Sequence, residues 1–394
     1  MTGRNDRQDV RHPVLGPPPG GEGARRVVGC MTGTSLDGLD CALVEIAGRG
    51  LSMRATFVRG DSMDLGPLKP RLRAIAEQEP VTAGEVAGVM REFSLLHAEA
   101  VRHVLAGEEC EFVCVHGQTV FHQPPLSWQL FQAAPLVHAL GVPVVYDLRQ
   151  ADLAAGGQGA PITPIADWVL FRRFHDPMTV VNLGGFANYT QWHTDMLPDE
   201  DPASPVGWLS RPLDVRGGDI CVCNQLLDQL ARERLGRPFD EDGRIAASGV
   251  ADPTVVRSLD AVLENQARSN RSLGTGDELG RWIESVAGLP VPTVLRSACE
   301  AIGSTIARRT YDLPVMLAGG GARNAGLVMA VRAACGHTVP TTDSVGLPIE
   351  FREAACFAVL GALCQDRVPI TLPRVTRLPP ERTAPLAGVW ALPK

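Results

Sequence analysis

Arg26-Val-Val-Gly-Cys-Met-Thr-Gly-Thr-Ser-Leu-Asp-Gly-Leu-Asp-Cys-Ala-Leu-Val-Glu-Ile46 sets a β-rich apolar stretch on each side of a Gly/Ser/Thr/Asp cluster, the pattern of strand, turn, strand. Thr179-Val-Val-Asn-Leu-Gly-Gly-Phe-Ala-Asn-Tyr-Thr190 repeats it about 150 residues later. A hairpin opening each half of a chain implies a duplicated α/β lobe with a phosphate-facing turn in each copy. A third cluster, Pro314-Val-Met-Leu-Ala-Gly-Gly-Gly-Ala-Arg-Asn324, follows an apolar run and precedes the helix-like Ala325-Gly-Leu-Val-Met-Ala-Val-Arg332. Strand, glycines and helix start in that order are suited to a nucleotide phosphate.

The bounds on the chain agree. Its 394 residues suit two lobes of roughly 100–200 residues each, and 45% hydrophobic content can fill both cores. A net charge of −7 lacks the concentrated basic surface that a nucleic-acid backbone requires, so nucleic acid is not an expected partner. No apolar run of membrane-spanning length is present and the start lacks a secretory apolar core, so no membrane partner and a cytoplasmic setting are expected. The ten cysteines form no CxxC pairs; Cys221 and Cys223 stand too close for usual zinc spacing, and reduced thiols are the plain reading. Residues 1–26, with Pro17-Pro-Pro-Gly-Gly, read as a disordered polar tail. Helical spacing of Met90, Phe93, Leu96, Val101, Val104 and Leu105, and of Cys223, Leu226, Leu227 and Leu230, marks core-facing helices. No Gly-x-Gly-x-x-Gly opening a βαβ unit and no Walker Gly-x-x-x-x-Gly-Lys-Ser/Thr occurs, so a bound nucleotide would lie between hairpin turns of two lobes.

Arg149-Gln-Ala-Asp-Leu-Ala-Ala-Gly-Gly-Gln-Gly-Ala-Pro161 follows the apolar Val142-Pro-Val-Val-Tyr146. Asp147 and Asp152 therefore fall at a strand's carboxyl end, where open α/β sheets bind ligands. Asp152 alone also reads as a helix N-cap, and Asp147 with Arg149 as an ion pair bracing a loop. His116-Gly-Gln-Thr119 follows the strand-like Phe112-Val-Cys-Val115 and offers sugar-binding donors and acceptors in His116, Gln118 and Thr119, although a lone histidine is more often structural. Glu353 opens a helix-like stretch and could serve only the helix dipole. The turn Gly33-Thr34-Ser35-Leu36-Asp37-Gly38-Leu39-Asp40 is an ordinary hairpin on its own.

Six segments in order, Met31 to Asp40, His116 to His122, Asp147 to Pro161, Asn182 to Asn188, Gly319 to Asn324 and Glu353 to Ala358, resemble those of anhydro-N-acetylmuramic acid kinases. The resemblance spans residues 27 to 365. It implies a two-lobed actin-like ATPase with ribonuclease H-like duplicated lobes: 27–175 the first, 176–394 the second, with the Glu353 helix and the C-terminal segment candidates to return to the first. It implies ATP, Mg²⁺ and an amino-sugar substrate, 1,6-anhydro-N-acetylmuramic acid, whose ring is opened by water and phosphorylated on O6 during cell-wall recycling.

By this resemblance Asp152 is the general base. Gly33 through Asp40, Asn182, Gly184, Gly185, Gly319, Gly320, Gly321 and Asn324 face ATP; His116, Gln118, Thr119, Asp147, Arg149, Asp214, Arg216 and Glu353 face the sugar. Metal ligands are left unassigned, with Asp37 or Asp40 able to hold Mg²⁺ through water, and a homodimer is left open. The chain departs from the family where Asp-Thr-Gly-Pro-Gly-Asn is usual and Asp214-Val-Arg-Gly-Gly-Asp219 stands instead. There Arg216 is expected in a ligand-facing turn as a clamp for a phosphate or carboxylate, or paired with Asp214 or Asp219. The run from Arg271 to Glu278 only loosely echoes the family, and Arg377 stands where glycine is usual. A nucleotide-binding relative that lost catalysis through the altered 214–219 loop, with a sensor or interaction role, is the alternative.

Overall fold

The computed structural model describes residues 23–174, 177–193, 214–269, 277–310 and 313–394. The first 22 residues of the expected tail and residues 271–276 of the run starting at Arg271 lie outside them. Twelve strands are described: β1 (Arg25–Met31), β2 (Leu39–Ala47), β3 (Arg54–Met63), β4 (Phe112–Val115), β5 (Gln118–Gln123), β6 (Leu126–Leu130), β7 (Val144–Tyr146), β8 (Met178–Leu183), β9 (Phe186–Trp192), β10 (Val215–Val222), β11 (Val315–Ala318) and β12 (Val389–Ala391). Arg25 and Arg26, read as the end of the tail, open β1, and Arg25 is bound by Asp366 and Gln365.

Two sheets share one topology. The first runs β12-β7-β4-β1-β2-β3 and the second β10-β9-β8-β11. In each, three consecutive strands form an antiparallel meander, β1-β2-β3 or β8-β9-β10, and a later strand, β4 or β11, joins its first strand in parallel. Parallel joining requires a crossover, and the helices Ala83–Leu105 and Val291–Thr310 occupy those crossovers. The order three-two-one-four in both sheets makes this a duplicated, two-lobed α/β fold of the actin-like, ribonuclease H-related type. β5 and β6 form a separate hairpin.

Side-chain alternation along the central strands explains the layers. On β1, Val27 belongs to an apolar core shared by both sheets, whereas Val28 and Cys30 belong to a core under the helix Ala83–Leu105. On β8, Met178 and Val180 face the shared core, while Val181 and Leu183 face the helices Val291–Thr310 and Ala325–Cys335. The shared core is filled by the helices Pro164–Phe171 and Arg352–Gln365. The latter lies on β1 so closely that a Cβ at Gly29 would come 1.9 Å from the Ala354 carbonyl oxygen. β12 pairs antiparallel with β7, so the end of the chain runs back to the first sheet. All ten cysteines are free thiols, and no described helix is long and apolar enough to cross a membrane.

Candidate active site

β7 ends at Tyr146, and Asp147 takes a left-handed φ of 55° that turns the chain into the short helix Gln150–Ala154. Asp152 sits in its first turn and is 1% exposed. It does not cap that helix, whose N-cap residue is Arg149. Instead its Oδ2 accepts the Gly159 backbone N–H at 2.8 Å and its Oδ1 accepts the Thr376 hydroxyl at 2.9 Å. A Cβ at Gly157 would stand 2.2 Å from Oδ2, so glycine is what lets the loop close over the carboxylate. A carboxylate has about four acceptor positions; two are used here, and two remain for a water or a sugar hydroxyl.

His116 follows β4 and is 5% exposed. Arg149 donates to its Nε2 from Nη2 at 2.9 Å and Nε at 3.2 Å. Because Nε2 accepts, the proton is on Nδ1, which donates to the Gly117 carbonyl at 2.7 Å. Burial, reinforced by the Arg149 charge, drives the imidazole well below its usual pKa, so His116 is neutral at physiological pH. Arg149 also donates to the Gly159 carbonyl at 2.9 Å. The expected Asp147–Arg149 brace is replaced by one tying His116 to the loop whose N–H holds Asp152. Gln118 is buried with its Oε1 unpartnered, and the Thr119 hydroxyl accepts from Gln129 at 3.3 Å. Asp147 is half-buried, which raises its carboxyl pKa.

Two of the glycine clusters meet beside β8, and the turn of the first sheet is linked to them through the charges of Asp37 and Asp228. Gly184 and Gly185, in the β8–β9 turn, accept the N–H groups of Asn224 and Cys223 at the start of the helix Asn224–Leu235. A Cβ at Gly319 would fall 2.5 Å from the Asn182 Oδ1, and one at Gly321 would strike Leu183 and Asn224, whereas Gly185 and Gly320 have nothing within 4 Å of theirs. The result is a backbone-walled recess open at Gly185 and Gly320. Asn324 caps the following helix by accepting the Leu327 N–H at 3.0 Å. From the other sheet, the turn Gly33–Leu36 closes by a 3.1 Å hydrogen bond, with Leu36 at φ 59°.

Carboxylates crowd this recess. Burial raises the Asp40 pKa to about 6, and Glu353, Glu350 and Asp37 push the same way against a hydrogen bond from Ser62. Burial likewise raises Asp228 to about 6, with Asp37 adding across the cleft. Glu353, at the start of the helix Arg352–Gln365, accepts from Asn182 Nδ2 at 3.4 Å; burial raises its carboxyl against the charges of Arg352 and Arg149. No group of three or more His, Cys, Asp or Glu with metal-holding geometry is found among the described residues. Mg²⁺ fits such a place nonetheless, since it uses one or two carboxylates, waters and phosphate oxygens, and a cation would relieve the charge crowding at Asp40.

One expectation is corrected. Asp214–Asp219 is not a ligand-facing turn: Val215 to Asp219 lie within β10, paired with β9, with a bulge between Asp219 and Cys221. A Cβ at Gly217 would sit 2.6 Å from Pro164 Cγ, so this glycine serves close contact with the helix Pro164–Phe171 rather than a bend. Arg216, on an exposed edge strand, lies 3.4 Å from Asp214, which Arg374 approaches to 3.8 Å. Arg377 has φ 56° at the end of the helix Pro373–Thr376, a left-handed position that glycine takes without strain. Sequence reasoning missed Thr376 and Asp228. Neither sits in a motif, and only tertiary contact brings them to the cleft.

Two sheets of one topology, a glycine turn after the first strand of each and a buried carboxylate at a strand end define a two-lobed protein of the actin-like ATPase class. The family model for anhydro-N-acetylmuramic acid kinase matches residues 25–383, and the chain belongs to that family. It is 33% identical over 372 residues to the anhydro-N-acetylmuramic acid kinase of Acidiphilium cryptum, covering 92% of this chain and 96% of that one. With the Gloeobacter violaceus enzyme of the same name it shares 34% identity over 391 residues, covering 92% and 97%. Among solved structures, component A of (R)-2-hydroxyglutaryl-CoA dehydratase from Acidaminococcus fermentans is similar at a TM-score of 0.43 and 13% identity, covering 85% of this chain and 96% of that one, a likeness too distant to inform the site.

Proposed function

We propose that this protein uses ATP to convert 1,6-anhydro-N-acetylmuramic acid and water into N-acetylmuramic acid 6-phosphate and ADP, in the cytoplasmic recycling of cell wall. The observation that carries the reading is Asp152: a buried carboxylate fixed by one N–H and one hydroxyl, with acceptor capacity left over. Water attacks C1 while Asp152 takes its proton. The C1–O6 bond breaks and its electron pair goes to O6, which forms the bond to the γ-phosphorus as ADP departs. Glu353, His116, Gln118, Thr119, Asp147 and Arg149 line the sugar side; the neutral His116, its ring nitrogens taken by Gly117 and Arg149, steadies the Arg149 guanidinium without competing for the base's proton. Gly33 to Asp40, Asn182, Gly184, Gly185, Gly319 to Gly321 and Asn324 line the phosphate side. Asp37 and Asp40 are the residues to hold Mg²⁺ through water, and the ion would neutralise charge on the phosphate oxygens. Phosphoryl transfer depends mainly on such positioning and neutralisation.

Asp152→Asn tests the assignment. The Thr376 hydroxyl can accept as well as donate, so an amide is accommodated without loss of shape. Turnover is expected to fall by about 10²–10⁴, the usual worth of a positioned base, with ATP affinity and melting temperature nearly unchanged. Near wild-type turnover would reduce Asp152 to a scaffold residue.

A further inference from the structure

Asp167 and Arg352 form an ion pair whose side chains are 0% and 1% exposed. Arg352 Nε donates to Asp167 Oδ1 at 2.7 Å and Nη2 donates to Oδ2. The same carboxylate accepts the Thr190 hydroxyl at 2.5 Å and lies 3.4 Å from the Cys356 thiol. The pair thereby knots together the helix Pro164–Phe171, β9 of the second sheet and the helix Arg352–Gln365 that lies on the first. Burying two charges offsets most of what their attraction gains, so such a pair is a weak source of stability, and its use has to be sought elsewhere.

The spare donor shows where. Arg352 Nη1 is buried and has no hydrogen-bond partner among the described residues, and it lies 3.8 Å from Glu353 Oε1. Among the described residues that oxygen is otherwise engaged only by the long 3.4 Å contact from Asn182. A permanently charged donor, locked on two sides by Asp167, thus faces a loosely held carboxylate at the mouth of the recess. The other charged groups acting on Glu353 are Arg149 at the start of the helix Gln150–Ala154, Asp167 itself and Asp40 on β2.

We propose that Arg352 is a positioning residue for the reaction: pinned by Asp167, it uses Nη1 to hold the Glu353 carboxylate in the orientation that binds the sugar. The proposal rests on the reading of Glu353 as a sugar contact. Asp167 is then the anchor, and Thr190 links that anchor to the second lobe.

A double-mutant cycle on the full-length enzyme, read by steady-state kinetics in each substrate, tests it. Arg352→Lys keeps a charge for Asp167 but withdraws Nη1. It is expected to lower kcat/KM for the sugar by about 10- to 100-fold, the loss of one buried charge–charge contact on Glu353, while KM for ATP stays within about twofold. In a Glu353→Gln background the same change is expected to cost almost nothing further, whereas a merely structural arginine would multiply its full cost onto that background. Should Arg352→Lys not fold, the pair Asp167→Leu with Arg352→Met removes both buried charges at similar volume and is expected to show the same sugar-specific loss. Multiplicative costs, or a sugar kcat/KM unchanged in either variant, would overturn the role of Arg352 while leaving that of Glu353 intact. A Glu353→Gln enzyme with wild-type sugar kinetics would remove the reading of Glu353, and this proposal with it.

Discussion

Arg216 shows how one substitution within a family motif changes what a residue can offer. It brings five fixed donors to the edge of the second sheet, yet its pairing with Asp214 is 3.4 Å long and its side chain is 53% exposed. Exposed pairs of that kind contribute about 0–1 kcal/mol, so Arg216→Ala is expected to leave the melting temperature almost unchanged. As a clamp on phosphate or on the lactyl carboxylate it would be worth about 1.5–3 kcal/mol of binding. Isotherms with an ATP analogue and with the anhydro sugar are expected to show unchanged affinity for both, because Arg216 stands on an edge strand and not in a ligand-facing turn; that loss for either ligand would restore the clamp. Asp152 and His116 stand just beyond the ends of β7 and β4, where a motif and a strand end coincide in the sequence. The turn expected at Asp214–Asp219 is a strand because two adjacent glycines signal a turn as strongly as they signal close contact, and the Pro164 ring that demands Gly217 lies 53 residues away in sequence. Thr376, Asp167 and Arg352 escaped notice because buried partners hundreds of residues apart carry no local signal.

At the scale of elements, β1 and the helix Arg352–Gln365 are the pair on which the cleft depends. Ala354 and Ala358 keep that helix thin enough to lie against Gly29 of β1, and Gly361 does the same against Phe112 and Cys114 of β4. Gly29→Ala would drive a methyl group into the Ala354 carbonyl and the Ala358 amide, backbone atoms that cannot step aside. Destabilisation of at least about 1–3 kcal/mol is expected from overpacking of this kind, measured as a fall in the urea midpoint; an unchanged midpoint would mean that helix and strand are not in contact. The helix Ala83–Leu105 was legible from its period, and a capping box of Thr82 with Glu85 closes its start. It carries a buried histidine, His97, which burial lowers to about 4 against the pull of the Phe93 carbonyl. Between pH 6.5 and 4 the unfolded chain binds this proton and the folded chain does not. The stabilisation is complete above pH 6.5, declines as pH falls and is gone below about 4. At pH 5 about 2 kcal/mol is lost through His97. Wild-type stability should therefore drop more between pH 7 and pH 5 than that of His97→Leu, and parallel curves would contradict the assignment.

For the whole molecule, repetition of the hairpin was the decisive sequence signal, because two sheets of one topology must place their glycine turns at comparable positions. The resemblance left the Glu353 helix and the C-terminal segment as candidates to return to the first lobe; the contacts they make there, Glu353 with Asn182, Thr376 with Asp152 and β12 with β7, carry no signal in the sequence. The site is consequently assembled from both halves, and closure of the lobes would leave the attacking water as the one with access to C1. The central claim is that ring opening and phosphoryl transfer are a single coupled event at this site. The most direct test is to follow ADP and N-acetylmuramic acid 6-phosphate together when the protein is given ATP, Mg²⁺ and the anhydro sugar. The account predicts ADP and sugar phosphate formed one for one, no ADP without the sugar, and no ring-opened sugar without ATP; ADP released at the same rate with the sugar absent, or free N-acetylmuramic acid accumulating, would contradict it.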